Sequence, residues 1–172
     1  MSVHFNRLTS ADAEALSNIA KRSYSQHYLD YWYDRGEWYI EHSFAVKQLA
    51  KELDDPNTRY FMVLVSAKPV GFLKINVDKP LLGQSNNNGL ELERIYLLKE
   101  ASGQGVGRAA VEYVEDIARQ LGKQTLWLKS MDTSQAVGFY KRMGFQEYSK
   151  LRLNFPQMKE ELRGMVILQK PL

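Results

Sequence analysis

Three glycines alternate with other residues between Ser102 and Arg108, directly after the apolar stretch Leu90–Leu98 and directly before a helical pattern over Val106–Leu121. An apolar run that stops at such a turn and resumes with helical periodicity reads as strand, tight turn and helix. Glycine lets a backbone come close to a ligand, and the first turn of a helix leaves its N–H groups unpaired and aimed at one point. With the positive end of the helix dipole they form a site for phosphate, and Arg108 adds charge beside it. The same glycines would also serve a tight turn that binds nothing. Gly105–Ala110 satisfies the loose GxGxxA pattern as well, which would make the chain a dinucleotide-binding oxidoreductase. That pattern belongs in a first strand–helix–strand unit with an acidic residue about 20 positions on. Here it lies past the middle of the chain, and the next strand ends at Leu128–Lys129. No Gly-Lys-Ser/Thr element for a nucleoside triphosphate is present.

The turn sits within one domain, residues 1–172, because no repeat, low-complexity tract or linker divides the chain. Val3–Leu8 reads as a short strand, and Thr9 or Ser10 caps a helix over Ala11–Ser23. Ser43 caps a second helix over Phe44–Leu53, ended by Asp54, Asp55 and Pro56. Arg59–Ala67 and Val70–Val77 form a hairpin that meets at Lys68–Pro69, followed by the loop Asp78–Gly89 and the strand Leu90–Leu98. After the helix closed by Gly122 come a strand over Gln124–Lys129, a helix over Ser134–Met143, and strands over Phe145–Phe155 and Met165–Lys170. This order predicts an α/β protein, a mixed sheet with helices on both faces.

Composition removes several classes of function. There is no cysteine, hence no disulfide, thiolate metal site or cysteine nucleophile. His4, His27 and His42 show no metal-ligand spacing, so no metal is expected. A net charge of +3, with Lys and Arg spread along the chain, gives no support to nucleic-acid binding. No apolar run approaches the ~20 residues of a membrane span. The amino terminus, MSVHFNRLTS, lacks a basic-then-apolar export signal, and the expected location is the cytoplasm. Exposed edge strands near the carboxyl terminus suit a homodimer.

Taken together, Leu92–Leu97 (LERIYL), the glycine turn, and Ala136–Phe145 (AVGFYKRMGF) resemble the GNAT superfamily of acetyl-CoA-dependent N-acetyltransferases. The wording of the first and last segments is similar to a bacterial branch acting on spermidine and spermine. The resemblance covers Phe61–Phe145; before that it extends only to the order of elements. It implies a mostly antiparallel sheet of six or seven strands, with a V-shaped splay between the parallel strands Leu90–Leu98 and Gln124–Lys129. It implies that backbone amides of Gln104, Gly105, Val106, Gly107, Arg108 and Ala109 hold the coenzyme A pyrophosphate. The backbone of Ile95, Tyr96 and Leu97 would pair with the pantetheine arm and polarise the thioester carbonyl. Two positions depart from the family: Ser102 opens the turn in place of Arg or Gln, and Thr133 stands where an Asn usually contacts pantetheine. Asp132, Thr133 and Ser134 also suit a helix cap with no ligand.

The chemistry needs two proton carriers. Tyr140 matches the family tyrosine that protonates the departing thiolate; packing against Phe139 and Phe145 is its alternative role. A primary ammonium of pKa near ~10.4 is about 99.9% protonated at neutral pH and has no lone pair for attack. By resemblance Glu93 accepts that proton through water, on a strand where a carboxylate buried without purpose is costly. Glu91 points to the same face and is a second candidate, with an ion pair to a nearby Lys or Arg as its alternative. Tyr24–His42 carries five tyrosines and two tryptophans beside Asp30, Asp34, Glu37 and Glu41. Aromatic faces and carboxylates attract ammonium groups, which makes Tyr31, Trp32 and Trp38 candidates for the acceptor wall. Packing a helix or a dimer surface is their other reading. The expected function is transfer of an acetyl group from acetyl-CoA to a small-molecule amine such as a polyamine. The alternatives are a non-catalytic acetyl-CoA-binding regulator and an acetyltransferase of protein or peptide amines.

Overall fold

The computed structural model describes residues 2–172. The chain begins with strand β1 (Val3–Arg7), a short 3-10 turn at Ser10–Asp12, and helix α1 (Ala13–Tyr28). Thr9 and Asp12 form the cap: the Thr9 N–H donates to the Asp12 carboxylate at 2.8 Å. Helices α2 (Glu37–Phe44) and α3 (Val46–Leu53) follow, then strands β2 (Thr58–Val65), β3 (Lys68–Asn76) and β4 (Gly89–Leu97). Helix α4 (Val106–Gln120), strand β5 (Thr125–Met131), helix α5 (Ala136–Arg142), and strands β6 (Gln146–Arg152) and β7 (Gly164–Pro171) complete it.

Two local expectations are corrected. The second helix is split: Ala45 leaves the helical region with ψ 141°, so α2 absorbs Ser43 and Phe44 instead of starting after a Ser43 cap. The β2–β3 turn lies two residues earlier, at Ser66–Ala67, with φ 47° and 66°. Two consecutive positive φ values give the twist that a two-residue hairpin prefers, and that leaves Lys68 and Pro69 inside β3.

The seven strands form one sheet in the order β1-β2-β3-β4-β5-β7-β6. Every neighbouring pair is antiparallel except β4 with β5. The central strands are apolar on both sides because both faces are covered. Phe61, Val63, Leu90 and Leu92 pack with Val106, Ala110, Val111 and Val114 of α4. On the other face, Tyr60, Met62 and Phe72 pack with Leu16, Ile19 and Ala20 of α1 and Leu49 of α3. Strands β1 and β6 are the edges, and β6 is the more exposed of the two.

Two irregularities shape the middle of the sheet. Strands β4 and β5 pair over only three positions, Gly89 with Thr125, Leu90 with Leu126 and Glu91 with Trp127, and then splay apart. On its other side β4 carries a bulge: Lys74 faces Arg94 and Ile75 faces Leu92, so Glu93 is an extra residue. The bulge reverses the alternation. Leu90 and Leu92 precede it on the α4 face, Ile95 and Leu97 follow it there, and Tyr96 joins the α1 side.

Candidate active site

The splay opens onto two cavities. The larger, about 600 Å³, lies between the α1–α3 segment, β4 and β5. The smaller, about 200 Å³, lies between the ends of α1 and β4, the glycine turn and α5. Tyr28, Ile95, Tyr96 and Tyr140 line both and form the neck between them.

At the outer end of the smaller cavity the turn runs through Gly103 and Gly105 at φ 75° and 77°, values that glycine adopts without strain. A Cβ built on either would meet no atom within 4 Å among the described residues beyond its chain neighbours, so open space lies beside the turn. The amides of Gln104, Gly105, Val106, Gly107 and Arg108 have no backbone partner among the described residues. The Ala109 amide is different, since it donates to the Gly105 carbonyl at 3.0 Å and closes the first helical turn. The Arg108 side chain is 61% exposed and 3.6 Å from Glu112, a surface pair of small worth. Ser102 and Gly107 line the small cavity. The end of α1 is stitched to this region: His27 Nε2–H donates to the Leu97 carbonyl at 2.8 Å, and the Lys99 amide donates to Gln26 Oε1 at 2.7 Å. Beyond Glu91, β4 has a strand partner on one side only, leaving an edge for an extended chain to pair with. An anion cradle joined to a free strand edge matches a diphosphate carrying an amide-containing arm, so these residues fit coenzyme A.

Thr133 is exposed on the turn before α5 and lines neither cavity. Its neighbour Ser134 lines the larger one, and the Ser134 Oγ accepts the Ala136 N–H at 3.1 Å as a helix cap. Of the Asp132–Ser134 turn, Ser134 is thus the residue that lines the larger cavity, alongside Ser43 and Ser130 from other elements.

Tyr140 is 7% exposed and lies edge-on to Phe139 and Phe145, with ring centroids at 5.2 and 5.6 Å. Packing and a place at the neck are both realised in the one residue. Burial pushes its phenol well above the usual range, so it holds its proton at neutral pH.

The larger cavity holds a carboxylate network. Lys74, whose side chain is 9% exposed, is 2.5 Å from Glu52 and 2.6 Å from Glu93. Arg94 Nε lies 3.7 Å from Glu93. The Asn76 side-chain amide donates to Glu91 at 2.8 Å and to Glu93 at 3.2 Å. Burial pushes the Glu93 carboxyl up, but Lys74 and Arg94 more than reverse this and hold it below the usual value. Glu91 goes the other way: burial and the neighbouring Glu93 raise it despite the hydrogen bond from Asn76. Among the described residues no cation lies within ion-pairing distance of Glu91, so the ion pair expected as its alternative is not seen there. Substituting Lys74→Met should cost about 3 kcal/mol of stability, measured by chemical denaturation, because it takes the nearest cation from two half-buried carboxylates and leaves Glu93 only the more distant Arg94.

Sequence reasoning missed Glu52, Lys74, Asn76 and Arg94. A signal existed for Lys74: a lysine inside the otherwise apolar run Val70–Ile75 must find a buried partner.

Of the three aromatic residues singled out in sequence, Tyr31 and Trp32 line the large cavity and Trp38 does not. Tyr24, Tyr28, Tyr31, Trp32 and Tyr39 line the large cavity, with Trp32 Nε1–H donating to the Tyr24 hydroxyl at 2.8 Å. Trp38 does not line it; it packs on His42 and Phe155, with ring centroids at 4.6 and 5.6 Å. The acids of that segment also face elsewhere. Asp30 pairs with Arg35 at 2.5 Å, and the Asp34 carboxylate accepts the N–H groups of Gly36 and Trp38 at the start of α2. Glu37 and Glu41 are exposed. The acids that do reach the cavity are Glu52, Glu91 and Glu93.

Residues 13–145 match the family model described as the acetyltransferase (GNAT) family. An uncharacterized N-acetyltransferase from the pepI 3′ region of Lactobacillus delbrueckii subsp. lactis is 30% identical over 113 residues, 65% of each chain. An uncharacterized N-acetyltransferase of Methanocaldococcus jannaschii is 27% identical over 119 residues, 68% of this chain and 49% of that one. The aligned stretch thus spans less than two thirds of either curated relative. Among solved structures, the PaiA N-acetyltransferase of Thermoplasma acidophilum, crystallised with coenzyme A, superposes with a TM-score of 0.77 at 19% identity over 100% of both chains. At that identity the likeness shows the fold.

Proposed function

The chain belongs to the acetyltransferase (GNAT) family, and from that premise we propose that it moves an acetyl group from acetyl-CoA to a primary amine by direct attack. The observation that carries this reading is the position of Tyr140, at the neck between the glycine-turn cleft and the carboxylate-lined cavity. The phosphates rest on the amides of Gln104–Arg108, and the pantetheine arm runs along the free edge of Ile95, Tyr96 and Leu97. This places the thioester at the neck. Backbone amides of that edge stabilise the developing oxyanion. The acceptor enters through the larger cavity, where Glu93, the more exposed of the two β4 carboxylates, meets its ammonium and draws the proton off through a bound water. The amine attacks, the C–S bond breaks, and Tyr140 gives its proton to the sulfur.

Tyr31, Trp32 and the carboxylates Glu52, Glu91 and Glu93 support a cationic acceptor, and we propose a polyamine such as spermidine or spermine. A thiol-release screen over spermidine, spermine, amino acids, aminoglycosides and peptides tests this, with the highest kcat/KM expected for a polyamine. Coenzyme A binding without turnover on any of these amines would favour a regulator that senses acetyl-CoA. Within the screen, Glu93→Gln should lower kcat about 10²-fold, most at lower pH, where free amine is scarcest.

A further inference from the structure

We infer that His27, at the end of α1, is a positioning residue of the donor site: by bonding the Leu97 carbonyl it fixes the last peptide of the β4 edge along which the amide-containing arm of coenzyme A would lie. The inference rests on the acetyl-transfer reading above and adds to it a residue from the helix on the acceptor side.

The pairing of β4 with β3 decides which backbone groups face the free edge. Leu97 lies opposite Gly71, and the next residue, Leu98, donates its N–H to the Val70 carbonyl at 2.7 Å. Opposed residues of antiparallel strands alternate between bonded and non-bonded positions. Leu97, one step from the bonded Leu98, therefore turns its N–H and C=O away from β3, and Ile95, two residues back, does the same. On that free edge the Leu97 carbonyl meets His27 Nε2–H at 2.8 Å. A carbonyl only accepts, so the bond places the ring proton on Nε2. The Leu97–Leu98 peptide is thus held at both ends, its C=O by α1 and its N–H by β3. His27 also lines the smaller cavity, beside Leu97, Ser102 and Gly107.

Docking α1 on the sheet does not require this bond. Tyr24 and Tyr28 already lie edge-on to the Tyr96 ring, with centroids at 5.4 and 5.5 Å, and Gln26 Oε1 accepts the Lys99 N–H. An imidazole on an exposed helix end adds little packing. What the bond changes is the freedom of the last peptide of β4. Beyond Glu91 that strand has no strand neighbour on the β5 side, and a terminal peptide bonded on one side only is free to turn. An arm pairing with it would have to order it on binding; a peptide pinned beforehand removes that entropy cost.

Calorimetric titration with two probes tests this: coenzyme A, and 3′-phospho-ADP, which keeps the diphosphate and lacks the arm. His27→Leu should weaken coenzyme A binding about tenfold, the value of one hydrogen bond, and leave 3′-phospho-ADP within about twofold. His27→Gln, whose side-chain N–H can replace that of Nε2, should restore coenzyme A affinity to within about threefold of wild type. In steady state, His27→Leu should raise the acetyl-CoA KM while kcat and the acceptor KM stay nearly unchanged. Circular dichroism checks that both variants fold. Unchanged coenzyme A affinity in His27→Leu, equal weakening of both probes, or no recovery in His27→Gln overturns the inference. Wild-type protein that binds neither probe would instead overturn the parent reading. Coenzyme A binding without turnover would favour the regulator and leave the His27 comparison decisive.

Discussion

With phenylalanine at position 140, kcat is expected to fall about 10²-fold or more while acetyl-CoA affinity stays within about twofold. The ring contacts with Phe139 and Phe145 survive the change, so the fold should be preserved and only the hydroxyl lost. Its proton stays on oxygen at neutral pH because burial opposes the phenolate. The sulfur anion that forms as the C–S bond breaks would arise in the same poorly solvated neck, where burial raises its proton affinity as well. Steady-state thiol release gives kcat, and calorimetric titration with coenzyme A gives the affinity. Unaltered turnover would remove Tyr140 as the acid.

Gly105→Val should weaken coenzyme A binding by more than about 10²-fold. Two effects combine at this residue. Its φ of 77° lies in the left-handed region, where a β-branched side chain is strained, by about 1–2 kcal/mol. The valine would also project into the empty space beside the amides, where a phosphate must approach. Gly107→Ala separates the two, because Gly107 has no positive φ and its added methyl would meet only the Phe139 ring edge, at 3.6 Å. That variant should fold as the parent does and bind coenzyme A with a smaller loss. Calorimetry on both, with circular dichroism as the folding check, decides the matter; tight binding by Gly105→Val would place the phosphates elsewhere.

Much of the fold was legible because its signals are local. Glycine at 105 needs only its own φ to announce a turn, and the apolar stripe of α4 needs only helical spacing. The same holds for the order of strands and helices. The errors were also local, and each came from a competing choice. Ser43 is a good capping residue, yet the chain breaks at Ala45, and Ser66–Ala67 takes the positive φ values that the Lys68–Pro69 pair cannot supply, since proline fixes φ negative.

The acceptor side was far less legible. Asp30, Asp34, Glu37 and Glu41 stand beside the aromatic cluster in sequence, which made them look like its charged partners. In space they cap a helix, pair with Arg35 or face water, whereas Glu52 reaches the cavity from α3. Regular alternation puts Glu91 and Glu93 in equivalent surroundings. The bulge puts them in different ones, one ion-paired and one not.

The amino-acid sequence by itself determined the strand–turn–helix cradle, the order of the elements around it and the presence of Tyr140 in its motif. Those features depend on dihedral preference and periodicity, which neighbouring residues set among themselves. Only the tertiary structure decided which carboxylates enter the cavity and how Lys74 and Asn76 divide their charge. Those contacts join residues 15 to 22 positions apart in the chain, and burial and Coulomb energy depend on distance in space rather than along it.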